Sequence, residues 1–360
     1  MGSIFSSRLE KLFNQLDSLG YNGLYITNIT NIKYLTGFTG SAAILFILNH
    51  KSYFFTDGRY TTQCKNEIKN SEIFIIEKSY FNTINQNISL NKQNLSIGFE
   101  SENLNVSHYN NLIKNFPIID WVPTNAIIEN IAAVKDETEI DSLKTAIEIT
   151  DHVFDQIIPE IKAGVSEKYI AAKISYLFKT NGAEGDSYES IIASGARSAL
   201  PHARATDKEF QNGDFIVMDF GALYNGYHAD MTRTLLIGPA TSKHHEIYNT
   251  VLEAQLNGIK IAQAGVPCSE VDQACRSIIE HKGYGDLFTH STGHGIGLEV
   301  HTLPRIHKSN QELLQSNNVI TIEPGIYIPD WGGVRIEDDC LITNDSCVPL
   351  NRSSKDLIII

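Results

Sequence analysis

The chain has 360 residues, a formal net charge of −13, and 42% hydrophobic and 20% charged residues. That is the composition of an ordinary soluble protein with room for two domains, and an acidic balance without a basic block argues against nucleic acid or an anionic membrane as partner. Five cysteines, Cys64, Cys268, Cys275, Cys340 and Cys347, contain no C-x-x-C pair, which points to a reducing cytoplasm and not to a disulfide framework.

Leu9, Leu12, Phe13, Leu16 and Leu19 recur at helical spacing, with Gly20 placed to cap. With charges among them the stretch reads as an amphipathic helix and not as a signal peptide, and Met1-Gly2 followed by Ser6 matches a myristoylation pattern too short to carry weight. Short apolar runs at residues 24–27, 43–48, 53–56, 73–77, 95–99 and 118–122 then alternate with polar or helical segments. This texture predicts a small α/β domain over residues 1–128, closed by Pro117, Pro123 and Thr124.

From residue 129 to 360 the pattern becomes long helices, at 136–162 and 166–180, followed by a strand-like 189–194 and a hairpin over 215–236. Asn225-Gly226 is the dipeptide that best accepts the positive φ angles of a type I′ turn. If it forms the loop, Asp219 faces Thr232, and Asp230 lies on the same face two residues away. The carboxylates are then diagonal neighbours roughly 7–8 Å apart at Cα, beside apolar Ile216, Val217, Met218 and Phe220. Two buried carboxylates in that relation need a proton or a cation.

The unit then repeats. Lys162-Ala163-Gly164-Val165-Ser166-Glu167 recurs as Gln263-Ala264-Gly265-Val266-Pro267-Cys268-Ser269-Glu270, again between two helices. Phe215 to Gly221 recurs as Asn318 to Gly325, which matches Asp219 with Glu323, and Asp230 with its following strand recurs at Glu337. Two such copies predict an α+β domain with a pseudo-two-fold axis, its curved, mainly antiparallel sheet backed by helices and its four carboxylates meeting near the axis. Between the copies, His290, His294 and His301 sit among glycines in a stretch better suited to a site loop than to a core strand.

Four carboxylates with imidazole form a hard to borderline set that favours Mn²⁺ or Co²⁺, admits Zn²⁺ and disfavours a thiolate-type site. Paired divalent ions about 3.5–4 Å apart hold a water and lower its pKa, so the chemistry expected is metal-assisted hydrolysis.

Asp219, Asp230, His294, Glu323 and Glu337, with the blocks GHGIGLEVH, IEPGIY and VRIED, resemble the pita-bread metallopeptidases, in particular the branch of Xaa-Pro aminopeptidase (aminopeptidase P) and Xaa-Pro dipeptidase (prolidase). Leu35 to Ser41, Thr56 to Tyr60 and Pro201-His202 resemble further motifs of that branch, including its creatinase/prolidase-type N-terminal domain. The resemblance implies that Asp219 binds one ion, His294 and Glu323 the other, and that Asp230 and Glu337 bridge. It implies Glu323 as proton shuttle, His202 and His301 as hydrogen-bond donors to substrate and oxyanion, His290 at the proline pocket and Arg335 as orienter of a ligand carboxylate. Arg305 stands where some prolidases bind the substrate carboxylate, and similar arginines occur in aminopeptidase-like relatives, so the resemblance leaves the dipeptidase question open.

The reading ranked first is a cytoplasmic, homodimeric aminopeptidase P acting on peptides with proline second; the alternative is prolidase. A metal-free creatinase-like hydrolase or a peptidase-dead binding module ranks last, because all five ligand positions are kept. Thr302 departs from the Glu usual after the LEVH block.

Overall fold

A computed structural model describes residues 4–88, 90 and 95–360; Met1 and Gly2 of the myristoylation pattern lie outside them. The chain divides into two compact units, Met1–Ala132 and Ala133–Ile360. Among the described residues no helix is long and apolar enough to cross a membrane.

In the first unit the strands pair in the order Glu72–Ile76, Lys51–Asp57, Ala43–Leu48, Gly23–Ile26, Ser96–Glu100, Asp120–Thr124. Gly23–Ile26 and Ala43–Leu48 are buried along their whole length, so their sequences read as unbroken apolar runs and not as alternation. The helix Ile4–Leu19 turns Leu9, Leu12 and Leu16 inward. The two sequence blocks of this unit lie side by side: Ser41 Oγ and Tyr60 Oη are 2.7 Å apart, and the Phe38 and Tyr60 rings meet edge to face.

The second unit is built twice. The first half has helices Glu137–Ile157 and Glu167–Thr180 over strands Ile191–Ser194, Phe215–Phe220 and Met231–Leu236. The second half has helices Ser242–Ile261 and Cys268–His281 over strands Gly293–Gly295, Val319–Ile322 and Asp338–Ile342. The helix junctions correspond bond for bond. Gly164 N donates to Phe210 O at 2.9 Å and Phe210 N returns to Val165 O at 2.9 Å, while Gly265 N donates to Leu314 O at 2.8 Å and Leu314 N to Val266 O at 2.9 Å. Both glycines need left-handed backbone, at φ 86° and 87°, where a side chain would be strained.

Each half has its own apolar core between helices and strands. In the first, the Phe154 and Phe178 rings lie 6.4 and 6.0 Å from Phe220. In the second, Ile247, Tyr248, Val251 and Val271 pack on Ile320, Ile322 and Cys340. A fully buried phenylalanine contributes about 1.5–3 kcal/mol over an exposed one, so these contacts fix which face of each strand points to the helices and which is left for the site.

The hairpin has the register expected from Asn225-Gly226. Thr232 faces Asp219, Tyr224 faces Tyr227, and the two turn residues have φ of 51° and 77°. Three details differ from the sequence reading. The hairpin strands are interrupted at Gly221 and at Ala229-Asp230, because the two backbones come so close that a Cβ on Gly221 would lie 1.7 Å from Ala229 O. The sheet of this unit is hydrogen-bonded in four pieces, of three, three, five and two strands. His294 lies in a strand, Gly293–Gly295, inside the five-stranded piece. Its glycines serve close strand approach: a Cβ on Gly293 would sit 2.0 Å from Thr321 O.

Candidate functional site

Every acidic residue of the predicted set lies at or beside a strand end where the two halves meet. Asp219 is the fifth residue of Phe215–Phe220, Asp230 directly precedes Met231–Leu236, Glu323 follows Val319–Ile322 and Glu337 precedes Asp338–Ile342. Asp219, Asp230 and Glu337 are buried, as is His294. Ligand atoms of Asp230, His294 and Glu337 all lie within 4.8 Å of one another. Glu323 Oε1 is 3.5 Å from His294 Nε2, and Asp230 Oδ2 is 3.7 Å from it.

Cross-half bonds hold this cluster. Thr232, the cross-strand partner of Asp219, donates through Oγ1 to Glu337 Oε2 at 2.6 Å and accepts from Arg335 Nε at 3.0 Å. Glu337 N donates to Thr232 O at 3.1 Å, and Asp230 N donates to Asp339 Oδ2 at 2.9 Å. Arg335, itself buried, also donates to Asp219 Oδ2, to Tyr327 Oη at 2.8 Å and to Pro201 O at 3.2 Å. It is thus the cation that orients Asp219.

The hydroxyl of Tyr188 touches both Asp219 Oδ1 and Asp230 Oδ1. One hydroxyl hydrogen cannot serve two carboxylates, so the pair is short of positive charge. Burial pushes Asp230, Glu337 and Glu323 well above the ordinary carboxyl range. The next cause is the charge of Asp219 for Asp230, of Asp230 for Glu337 and of Glu337 for Glu323. A site that crowds oxygen donors around a deficit of positive charge fits divalent cations.

The histidines carry the opposite signature. His294 Nδ1 meets Gly295 O at 3.0 Å, which assigns the proton to Nδ1 and leaves the Nε2 lone pair facing the carboxylates. Burial, then His301, lowers its pKa to about 3, so the ring is neutral and fit to ligate. His290 forms a second chain: Arg335 donates to Tyr327 Oη, which donates to His290 Nε2 at 2.8 Å, while His290 Nδ1 donates to Ser291 O at 2.7 Å. That pattern also requires a neutral ring, and burial lowers His290 to about 4.

The His301 ring packs 4.3 Å from His294 and is itself exposed, with its pKa lowered first by desolvation and then by Arg305. His202 is exposed. Arg305 is the cross-strand neighbour of His294, exposed and without an ion pair among the described residues.

Sequence reasoning missed four contributors: Tyr188, Thr232, Tyr327 and Asp339. The hairpin register already put Thr232 opposite Asp219, and Tyr327 ends the IEPGIY block. Tyr188 stands in coil before Ile191–Ser194 with no local signal.

Comparison with known proteins gives the context. Residues 141–344 match the model of metallopeptidase family M24, and residues 8–134 match the creatinase/prolidase N-terminal domain. An Xaa-Pro dipeptidase of Pyrococcus furiosus is 37% identical over 98% of this chain and 99% of its own length. A structure of an Xaa-Pro dipeptidase from Bacillus anthracis superposes with a TM-score of 0.95 at 37% identity, covering 99% of this chain and all (100%) of that one. An X-Pro aminopeptidase from Thermotoga maritima superposes with a TM-score of 0.89 at 38% identity over 98% of this chain and 99% of the other.

Proposed function

The chain belongs to metallopeptidase family M24, and from that membership we propose that it is an Xaa-Pro dipeptidase of prolidase type, with Asp219, Asp230, His294, Glu323 and Glu337 as ligands for two divalent ions. The sequence alone placed the aminopeptidase P reading first. The relatives named Xaa-Pro dipeptidase favour the other order, and one observation carries it: an exposed Arg305, without an ion pair among the described residues, stands across the strand from the proposed ligand His294. In a dipeptide the terminal carboxylate lies one residue beyond the bond to be cut. A guanidinium beside the ligands can bind it bidentately; a longer peptide has no carboxylate there.

When bound, the ions supply Lewis-acid activation of water and of the scissile carbonyl; the oxygen-rich set favours Mn²⁺ over Co²⁺ or Zn²⁺. The chain's own residues do the remaining work. Glu323 is the least buried of the clustered acids, with 16% of its side chain exposed, which suits a group that takes a proton from the attacking water and gives it to the leaving nitrogen. His301 and His202 hydrogen-bond the substrate and the developing oxyanion. His290, neutral and packed against the Phe288 and Tyr327 rings, lines an apolar pocket for the proline ring. Such a pocket is needed because a prolyl nitrogen carries no hydrogen to recognise. Arg335 and Tyr188 hold Asp219 in place.

Cytoplasmic residence suits five free cysteines, of which only Cys347 is not buried, and a homodimer is part of the same proposal. The aminopeptidase reading retains the support of the Thermotoga maritima relative. Comparing an Xaa-Pro dipeptide with an Xaa-Pro-Pro tripeptide separates the two. Dipeptide-only hydrolysis, with a KM raised at least about tenfold in Arg305→Ala, is the expected result. Preferred cleavage of the tripeptide returns the assignment to the aminopeptidase.

A further inference from the structure

Two of the wholly buried carboxylates outside the ligand set each fasten a segment that carries His202 or His290. Glu167 opens the helix Glu167–Thr180, and its side chain has 0% exposure. Oε1 accepts from Ser194 N and Ser194 Oγ, both at 2.9 Å. Oε2 accepts from Thr206 N at 2.9 Å, Thr206 Oγ1 at 2.8 Å and Arg197 Nε at 3.1 Å. Arg197 Nη2 in turn donates to Arg204 O at 2.5 Å. Ser194 and Thr206 are the two ends of the segment that carries Pro201 and His202, so a single carboxylate ties the base of that loop.

Asp272 does the same in the other half, again with 0% side-chain exposure. Its Oδ1 accepts from Thr292 N at 3.2 Å and Thr292 Oγ1 at 2.9 Å. Arg276 binds it through Nε at 2.8 Å and Nη2 at 2.9 Å, and reaches on to Phe288 O at 3.0 Å and His290 O at 2.9 Å. The segment fastened here carries His290.

The two acids are not equivalent positions of the repeat. Ser166 and Pro267 correspond, each bridged to the strand-like stretch before its hairpin; Glu167 follows the first directly, whereas Asp272 lies a turn further along the second helix. Duplication therefore does not account for both. Burying a carboxylate with a guanidinium is a weak source of stability, because desolvation offsets the attraction. What it supplies is a fixed geometry for the backbone it binds.

Resting on the reading that His202 and His290 face the substrate, we infer that Glu167 and Asp272 are positioning residues, each of which, through its arginine, sets one histidine-bearing segment for binding the Xaa-Pro substrate. The test uses the manganese-loaded enzyme and the variants Glu167→Gln, Asp272→Asn and the milder Thr206→Val. Both acid variants keep two ions per chain and a kcat within about threefold of wild type, and raise KM about tenfold. Hydrogen exchange quickens over residues 195–206 in the first and 288–292 in the second, each without the other.

Faster exchange with an unchanged KM makes the clamps structural only and overturns the inference, as does a KM rise accompanied by lost metal. Should Glu167→Gln fail to fold, Thr206→Val decides: a KM raised about threefold at unchanged kcat supports the clamp, and an unmoved KM overturns it. A wild-type enzyme that cleaves no Xaa-Pro bond overturns the substrate assignment and this inference with it; an active wild type with unmoved KM in the variants overturns the clamp alone.

Discussion

Removing the ions should make the catalytic unit less stable as pH rises. Burial first, and mutual repulsion second, holds Asp230, Glu337 and Glu323 well above the ordinary range in the ion-free cluster. The folded, ion-free state thus keeps protons that the unfolded chain releases above about pH 4. Stability from groups with raised pKa is fully present below the unfolded value and is lost as pH climbs through the folded one. Each proton so retained costs about 1.4 kcal/mol per pH unit. For a unit of this size that lowers the melting midpoint by about 3–5 °C per pH unit and per proton. The clean window is between about pH 7 and 7.5, above the ordinary histidine range. It also lies below the value of about 8 to which burial lowers Lys135, a shift that works in the opposite direction. Scanning calorimetry of chelated and Mn²⁺-loaded protein across that window reads the effect directly: the chelated midpoint falls and the gap to the loaded protein widens. A chelated midpoint that is flat or rises would refute the reasoning, because the carboxylates would then carry no shared protons for the ions to replace.

Dialysis against a chelator abolishes hydrolysis and added Mn²⁺ restores it; full activity in chelator would exclude the metal mechanism. Tyr188→Phe removes the hydroxyl shared by Asp219 and Asp230, and Mn²⁺ affinity in a calorimetric titration should drop about tenfold; an unchanged affinity would leave the tyrosine without a role. Thr232→Val breaks the link between Arg335 and Glu337 at about 1–3 kcal/mol in denaturant unfolding, where a neutral result would show that the carboxylate finds another donor. Gly221→Ala places a methyl 1.7 Å from Ala229 O. It should destabilise by up to about 3 kcal/mol and, by parting the strands between Asp219 and Asp230, lower bound metal below two ions per chain in elemental analysis; an intact metal count would show that the two acids do not depend on this approach.

Where the sequence was informative, a local rule acted alone. Asn225-Gly226 admits few backbone conformations, so the register that sets Asp219 against Thr232 could be written down from two letters. The repeated junction at Gly164 and Gly265 was likewise visible, because positive φ leaves few substitutes for glycine. His294 was misread as a loop residue because its glycines are there for neighbouring strands and not for a turn. Tyr188 could not have been found: its meaning lies in two carboxylates from a hairpin more than thirty residues on, and no periodicity marks a coil residue that meets them only after folding. Thr232 shows the intermediate case, placed correctly by register yet without a task until Glu337 arrived from the other half.

That the site straddles two copies of one unit has a consequence for direction. Identical halves around a symmetry axis would present the same face to either end of a peptide and could not tell amine from carboxylate. A single polypeptide lets the copies drift apart, and here they have: one contributes a phenol and two aspartates, the other an imidazole and two glutamates. In the proposed peptidase, that lopsidedness would allow a centre built by doubling to read a substrate from one end only.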